Sequence, residues 1–296
     1  PAGVRSPGVI GFATRSRWKI ARRVHHQELQ QYLRPQEFRC VTVTERLKTE
    51  GSRPVSSGRY LLYEGSSGIE ACVYFTANGF VYPVLPEGPV PDLSGLKSAL
   101  NAVHPRLFCI MGTQRDVLHM EAVFSLPPVT TVTYFLMERQ VPAVPARPDD
   151  DPLVHIRSAG VLDADTIYPV QRLYEIEEVL MNPESFDARV CAQQLRVALN
   201  NQLVYIASNQ GGVIAKAQTN ARGYDWDQIG GVFTRESFRS RGIGRNVMRA
   251  LLNETDHAER RTCLFVKTHN RAALRMYRSL QYTVRDEFRI TYYRNV

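Results

Sequence analysis

The run Val232-Phe-Thr-Arg-Glu-Ser-Phe-Arg-Ser-Arg-Gly-Ile-Gly244 decides how this chain is read. Val232, Phe233 and Thr234 close a stretch beginning at Gln228 that has the branched and aromatic content of a strand. A short polar loop follows. From Ile243 onward, Ile243, Val247 and Leu251 recur every four positions, the period of a helix. Gly242 and Gly244 allow unusual dihedral angles and a close approach of the backbone to a ligand. The first amides of such a helix have no partner inside it, and the positive end of the dipole stands behind them, which suits a pyrophosphate. Arg239, Arg241 and Arg245 add positive charge around Ser240 and the glycines. A glycine pair at a helix start is also the ordinary make-up of a tight turn. The run lacks the third glycine of a dinucleotide-binding turn and the Gly-Lys-Ser/Thr of a P-loop.

A second run downstream gives it context. Val266-Lys-Thr-His-Asn-Arg-Ala-Ala-Leu-Arg-Met-Tyr277 reads as the end of a strand near Lys267, a cap at Asn270, and a helix with Ala273, Tyr277 and Leu280 on one face. Taken alone, Asn270 is a helix cap and Tyr277 a core residue.

Around these runs, residues 153–296 alternate between helices and strands. Helices are predicted over Asp163–Leu180, Val190–Asn200, Ile243–Leu252 and Arg271–Leu280. Strands are predicted over Leu203–Ser208, Val213–Thr219, Gln228–Thr234, Cys263–Lys267 and Phe288–Tyr293, with a hairpin turn at Asn209–Gly212. Residues 141–152 hold four prolines and the acidic run Asp149–Asp151, and read as a linker. Residues 35–140 form a smaller α+β unit. Its strands are expected at Arg59–Tyr63, Ala71–Phe75, Phe80–Leu85, Leu107–Met111 and Val129–Met137, and its helices at Leu93–Val103 and Arg115–Phe124. Residues 1–34 read as an arm followed by a basic helix from Trp18 to Leu33, ended by Pro35.

The net charge of +8 fits an anionic cofactor, a nucleic acid or a membrane surface. No helix-turn-helix, zinc finger or aromatic-basic RNA motif occurs, so nucleic acid is not the expected partner. No run of ~20 apolar residues predicts a membrane span. The five cysteines, at 40, 72, 109, 191 and 263, are widely spaced without a C-x-x-C, which fits reduced thiols in the cytoplasm. The histidines show no metal-ligand spacing, and Cys263 reads as a small core residue.

Together the two runs resemble the GNAT superfamily of N-acetyltransferases. Arg239-x-x-Gly242-x-Gly244 is similar to its pyrophosphate motif, and Asn270-x-x-Ala273-x-x-x-Tyr277 to its second signature. The resemblance covers roughly Val154–Arg294. Tyr174-x-x-Glu177-Glu178-Val-Leu resembles a helix of bacterial two-domain members. In that group the N-terminal half, with Gly58-Arg-Tyr-Leu and the Arg106–Gly112 segment, resembles a degenerate relative of the same fold. The chain departs from the family at Glu236, where proline is usual, and at Gln281-Tyr282, where Gly-Phe is usual.

The resemblance implies an α+β fold with a mixed, mostly antiparallel sheet, a splayed parallel strand pair and helices on both faces. It implies acetyl-CoA as cofactor, with its pantetheine arm along Val232 and Thr234, an amide near Phe233 polarising the thioester carbonyl, and the pyrophosphate on the amides of Arg241, Gly242, Ile243, Gly244 and Arg245. Tyr277 is then the general acid for the CoA thiolate, and a primary amine on a small molecule or protein attacks directly. The attacking amine needs a base, for which Asp225 and Asp227 are the expected residues, with Glu175, Glu177 and Glu178 as alternatives. No metal is implied. A non-catalytic acyl-CoA sensor and a basic nucleic-acid-binding protein are the competing readings.

Overall fold

The computed structural model describes residues 18–52, 57–66, 68–101, 107–139 and 153–294. The expected linker at 141–152 and most of the N-terminal arm lie outside the described residues. The N-terminal half runs β1 (Trp18–Ile20), α1 (His26–Leu33), α2 (Val41–Glu50), β2 (Gly58–Gly65), β3 (Gly68–Thr76), β4 (Phe80–Val84), α3 (Ser94–Asn101), β5 (Cys109–Thr113), α4 (Gln114–Phe124) and β6 (Thr130–Arg139). The C-terminal half repeats that order as β7 (His155–Ser158), α5 (Ala164–Tyr174), α6 (Ala188–Asn201), β8 (Val204–Asn209), β9 (Gly212–Arg222), β10 (Trp226–Thr234), α7 (Ile243–His257), β11 (Arg261–Lys267), α8 (Arg271–Ser279) and β12 (Tyr282–Tyr292).

All described strands join one sheet in the order β1-β2-β3-β4-β5-β12-β6-β11-β10-β9-β8-β7. The last strand of each half is inserted among strands of the other. β12 lies between β5 and β6, while β6 lies between β12 and β11. The β6–β12 ladder runs antiparallel from Tyr282↔Arg139 to Tyr292↔Thr130. The pairs β4–β5 and β10–β11 are parallel, one in each half. Because side chains alternate across a strand, neighbouring residues serve opposite cores. In β11, Leu264 and Val266 pack with α7 and α8, while Cys263 and Phe265 face Val41 of α2. Helices α1, α2, α5 and α6 thus cover one face and α3, α4, α7 and α8 the other.

The local structure departs from the sequence reading at four places. Trp18–Ile20 is not the start of a helix but a strand paired with Leu61–Tyr63; its alternating Trp18 and Ile20 feed one core and Ala21 the next. The helix begins only at His26. Helix α2 was not foreseen, since Val41-Thr-Val-Thr44 is a run of β-branched residues that favours a strand. Burial of Val41, Val43, Thr44 and Leu47 on one face outweighs that propensity. The last strand starts at Tyr282 rather than Phe288; its exposed residues Thr283–Glu287 carry no apolar pattern, and a bulge between Val284 and Asp286 shifts the register. The long helix predicted to Leu180 ends at Tyr174 and passes into a single π turn, Glu175–Val179.

Candidate functional site

β10 and β11 pair only over their first residues, from Trp226↔Arg261 to Ile229↔Leu264. Beyond that point β10 bulges against β9: Gly230 faces Gln218 and Phe233 faces Lys216, with Gly231 at φ +55°. That left-handed backbone is readily taken by glycine. β11 meanwhile stays with β6 through Lys267↔Tyr134. The parallel pair therefore opens as a V whose floor lies near Ile229.

At the mouth of the V stands the N-terminus of α7. Gly242 takes φ +78° as its cap, and no side chain caps the helix. A Cβ on Gly244 would come within 2.8 Å of Thr234 Oγ1, so only glycine lets the helix start this close to the end of β10. A groove of about 640 Å³ results. Val232, Phe233 and Thr234 line it from β10, and Arg239, Ser240, Gly242, Ile243, Gly244 and Arg245 from the loop and α7. Asn270 and Tyr277 line it from α8. Asn270 also caps α8 by accepting from Ala273 N at 3.0 Å. Of the expected residues on this loop, Arg241 alone is not in the lining; its guanidinium lies 5.6 Å from the centre of the Phe238 ring. Arg239 is used within the protein: Nε donates to the Thr234 carbonyl at 2.9 Å and Nη2 to Glu177 at 2.6 Å.

Tyr277 is 7 % exposed and meets Tyr282 edge-on at 5.9 Å. Burial, with Tyr174 and Glu178 nearby, pushes its phenol well above the ordinary range, so the hydroxyl keeps its proton. Glu178 sits in the same groove, presented by the π turn, and accepts from Lys267 Nζ at 3.2 Å.

Asp225 and Asp227, expected as candidate bases, lie outside the lining of this groove. Asp225 precedes β10 and forms a two-point ion pair with Arg34 of the other half, at 2.6 and 2.8 Å. That pair holds its carboxyl below the usual range. Asp227 is buried at the closed end of the V, bound by Arg260 at 2.8 Å and Arg222 at 3.5 Å. Phe233 lies six positions further on, ~20 Å along a strand. Asp225 joins the halves, beside Glu37, which accepts from the amides of Tyr224 and Asp225 at 2.5 and 2.7 Å, whereas Asp227 is held within the C-terminal half.

The matching gap of the N-terminal half is closed. β4 and β5 pair only at Phe80↔Cys109 and Val81↔Ile110. Arg39 and Asp116, 3.1 Å apart and buried, fill the opening. Arg39 donates to the Leu85 carbonyl at 2.7 Å and Asp116 accepts from the Leu85 amide at 3.1 Å, so the backbone that would meet a ligand is already engaged.

Residues 169–282 match the model of the Acetyltransferase (GNAT) family. The chain carries a GNAT domain. Among solved structures, a Drosophila protein aligns over 95 % of this chain and 100 % of its own, with TM-score 0.65 and 12 % identity. A tandem GNAT protein from the clavulanic acid biosynthesis pathway aligns over 93 % and 97 %, with TM-score 0.58 and 8 % identity. An acetyltransferase from the GNAT family of Colwellia psychrerythraea aligns over 94 % and 99 %, with TM-score 0.54 and 9 % identity. At these identities the likeness is one of fold. No curated protein matches the chain. The GNAT fold thus occurs twice, once with an open parallel pair and once with a filled one.

At the family's usual helix-ending glycine this chain has Gln281, which still takes the left-handed turn at φ +67°. Lys216, at the bulge, was not singled out from sequence. Its signal is a charge inside the apolar stretch Val213-Ile-Ala-Lys-Ala217. Among the described residues no cluster of metal ligands occurs, and no helix is long and apolar enough to cross a membrane.

Proposed function

We propose that the protein transfers the acetyl group of acetyl-CoA to a primary amine. The observation that carries the reading is the open V between β10 and β11, which meets an uncapped glycine helix start on one side and Tyr277 on the other. The first-turn amides of α7, from Gly242 to Arg245, suit the pyrophosphate, with the positive helix end behind them. The Thr234 carbonyl is engaged by Arg239, so Val232 is the backbone position left for the pantetheine arm. The bulge interrupts the β9–β10 ladder between Gly230 and Phe233, so that an amide near Phe233 would polarise the thioester carbonyl; one such donor is worth ~10²–10³-fold in rate. Tyr277, kept protonated by burial, is the proton donor in the groove for the thiolate, a transfer that the raised phenol makes less favourable than from an ordinary tyrosine.

The acceptor would come from the opposite face. A hollow of about 900 Å³ lies there between α2 of the N-terminal half and α6 of the C-terminal half, floored by Gln218, Asn220 and Arg222 of β9. All five cysteines are buried and unpaired, in keeping with a cytoplasmic protein.

The test is calorimetric titration with acetyl-CoA, beside a Gly242→Glu variant. A side chain there is strained at φ +78° and sets a carboxylate against the pyrophosphate amides. Binding by the native protein and at least a tenfold loss in the variant support the reading. A folded native protein that does not bind acetyl-CoA rules it out.

A further inference from the structure

Lys216 is a fully buried lysine, 0 % exposed, in the middle of β9 and directly opposite Phe233. Its Nζ donates to Gln218 Oε1 at 2.6 Å and lies 4.9 Å from the centre of the Tyr174 ring. A Cβ on Gly231 would sit 2.9 Å from that nitrogen. The bulge glycine thus leaves the amine directly over the β10 backbone, two residues from Phe233. From the π turn, Glu175 faces it without forming an ion pair, and accepts from Gln171 Nε2 at 3.4 Å. Gln171 is 6 % exposed, and its Oε1 has no protein donor, an acceptor left open beside the carboxylate. From the floor of the α2–α6 hollow, Asn220 and Gln218 lead by side-chain hydrogen bonds of 3.3 and 2.6 Å to Lys216.

We propose that Lys216, coupled to Glu175, is the base that takes the proton of the attacking amine. This rests on the acetyl-transfer reading above. The amine nitrogen bonds to the thioester carbon while the carbonyl π pair moves to oxygen. The N–H proton passes to the neutral Lys216 amine. The C–S bond then breaks as the carbonyl re-forms, and the departing thiolate takes the Tyr277 proton. Lys216 ends with one proton more and Tyr277 with one fewer, and exchange with solvent restores both.

The electrostatics agree. Burial, partly offset by Glu175 and Cys191, lowers the Lys216 ammonium to about 7, where a general base is most effective near neutral pH. Burial raises the Glu175 carboxyl, against the pull of Lys216. The titratable groups facing Lys216 are Glu175 and Tyr174 from α5 and its π turn and Cys191 from α6, on which Arg172 also acts. Its β10 neighbours Gly231 and Phe233 carry none.

The experiment follows thiol release from acetyl-CoA with putrescine, phenethylamine, glycine and a tripeptide as acceptors, between pH 5.5 and 9. Lys216→Met, Glu175→Gln and Glu178→Gln are compared with the native protein, and acetyl-CoA affinity reports on the fold of each. Lys216→Met is expected to bind acetyl-CoA within about twofold of native, to lose about 10²-fold or more in kcat, and to lose the acid limb near pH 7. Glu175→Gln removes a charge that favours the ammonium, so the limb should move to lower pH, which a merely structural lysine would not cause. The proposal is overturned if Lys216→Met keeps the acid limb or stays within about threefold of native kcat. A limb kept there and lost in Glu178→Gln assigns the role to Glu178. A native protein that binds acetyl-CoA, with Lys216→Met unaffected, sinks this proposal alone. A native protein that acetylates no acceptor sinks the acetyl-transfer reading and this one together.

Discussion

Replacing Lys216 by Met should make the protein more stable at neutral pH, by an amount that shrinks as the pH rises. In the unfolded chain a lysine ammonium titrates near ~10.4, while burial brings Lys216 down to about 7 in the native state. Between those values the unfolded chain holds a proton that the native one does not. Stability therefore rises with pH by ~1.4 kcal/mol per unit for this group, and the burden is largest below pH 7. Its size there is on the order of several kcal/mol. Methionine has a similar length and no charge, but it gives up the hydrogen bond to Gln218. That bond is worth about 1 kcal/mol, which leaves a net gain of a few kcal/mol at pH 7. Urea unfolding of both proteins at pH 7, 8.5 and 10 measures the difference, in which the titrating groups not coupled to Lys216 cancel. A difference that is flat across this range, or that grows towards pH 10, would refute the argument, because the native lysine would then be charged as readily as the unfolded one.

Tyr277→Phe should leave acetyl-CoA affinity within about twofold, since its ring stays against Tyr282, while kcat falls ~10²-fold through loss of the proton donor; single-turnover kinetics would show it. Asp225→Asn should leave turnover within about twofold, because its pair with Arg34 is exposed and contributes little to joining the halves; a hundredfold loss would favour Asp225 as the base over Lys216. Gln281→Gly should stabilise the protein by ~1 kcal/mol, relieving a left-handed backbone at φ +67°, measured as a rise in urea midpoint. Expressed alone, residues 153–296 should aggregate, because β6 is missing from between β11 and β12; a monomeric fragment that binds acetyl-CoA would contradict the shared sheet.

The C-terminal motifs were legible because they are local. A strand, two glycines and a four-residue apolar period within Val232–Leu251 specify a strand–loop–helix unit wherever the rest of the chain goes. Asn270 and Tyr277 likewise fix their own helix, and the fold brings both to the groove where Gly242 and Val232 lie. What Asp225 and Asp227 face was not legible, for the opposite reason. A carboxylate near a strand start has the same sequence appearance whether it faces a substrate or an arginine from another part of the chain, and only Arg34, Arg260 and Arg222 decide which.

The sequence by itself determined which segments become helix or strand over most of the C-terminal half and which loop can take a pyrophosphate, since periodicity, caps and glycine dihedrals act over a few residues. The tertiary structure alone decided that β6 and β12 interleave, that Arg39 and Asp116 close the N-terminal gap, and that Lys216 lies over Gly231. These facts rest on pairings between residues from 15 to more than a hundred positions apart, where the energy lies in which strand edge or buried charge finds which partner, and no local pattern encodes that choice.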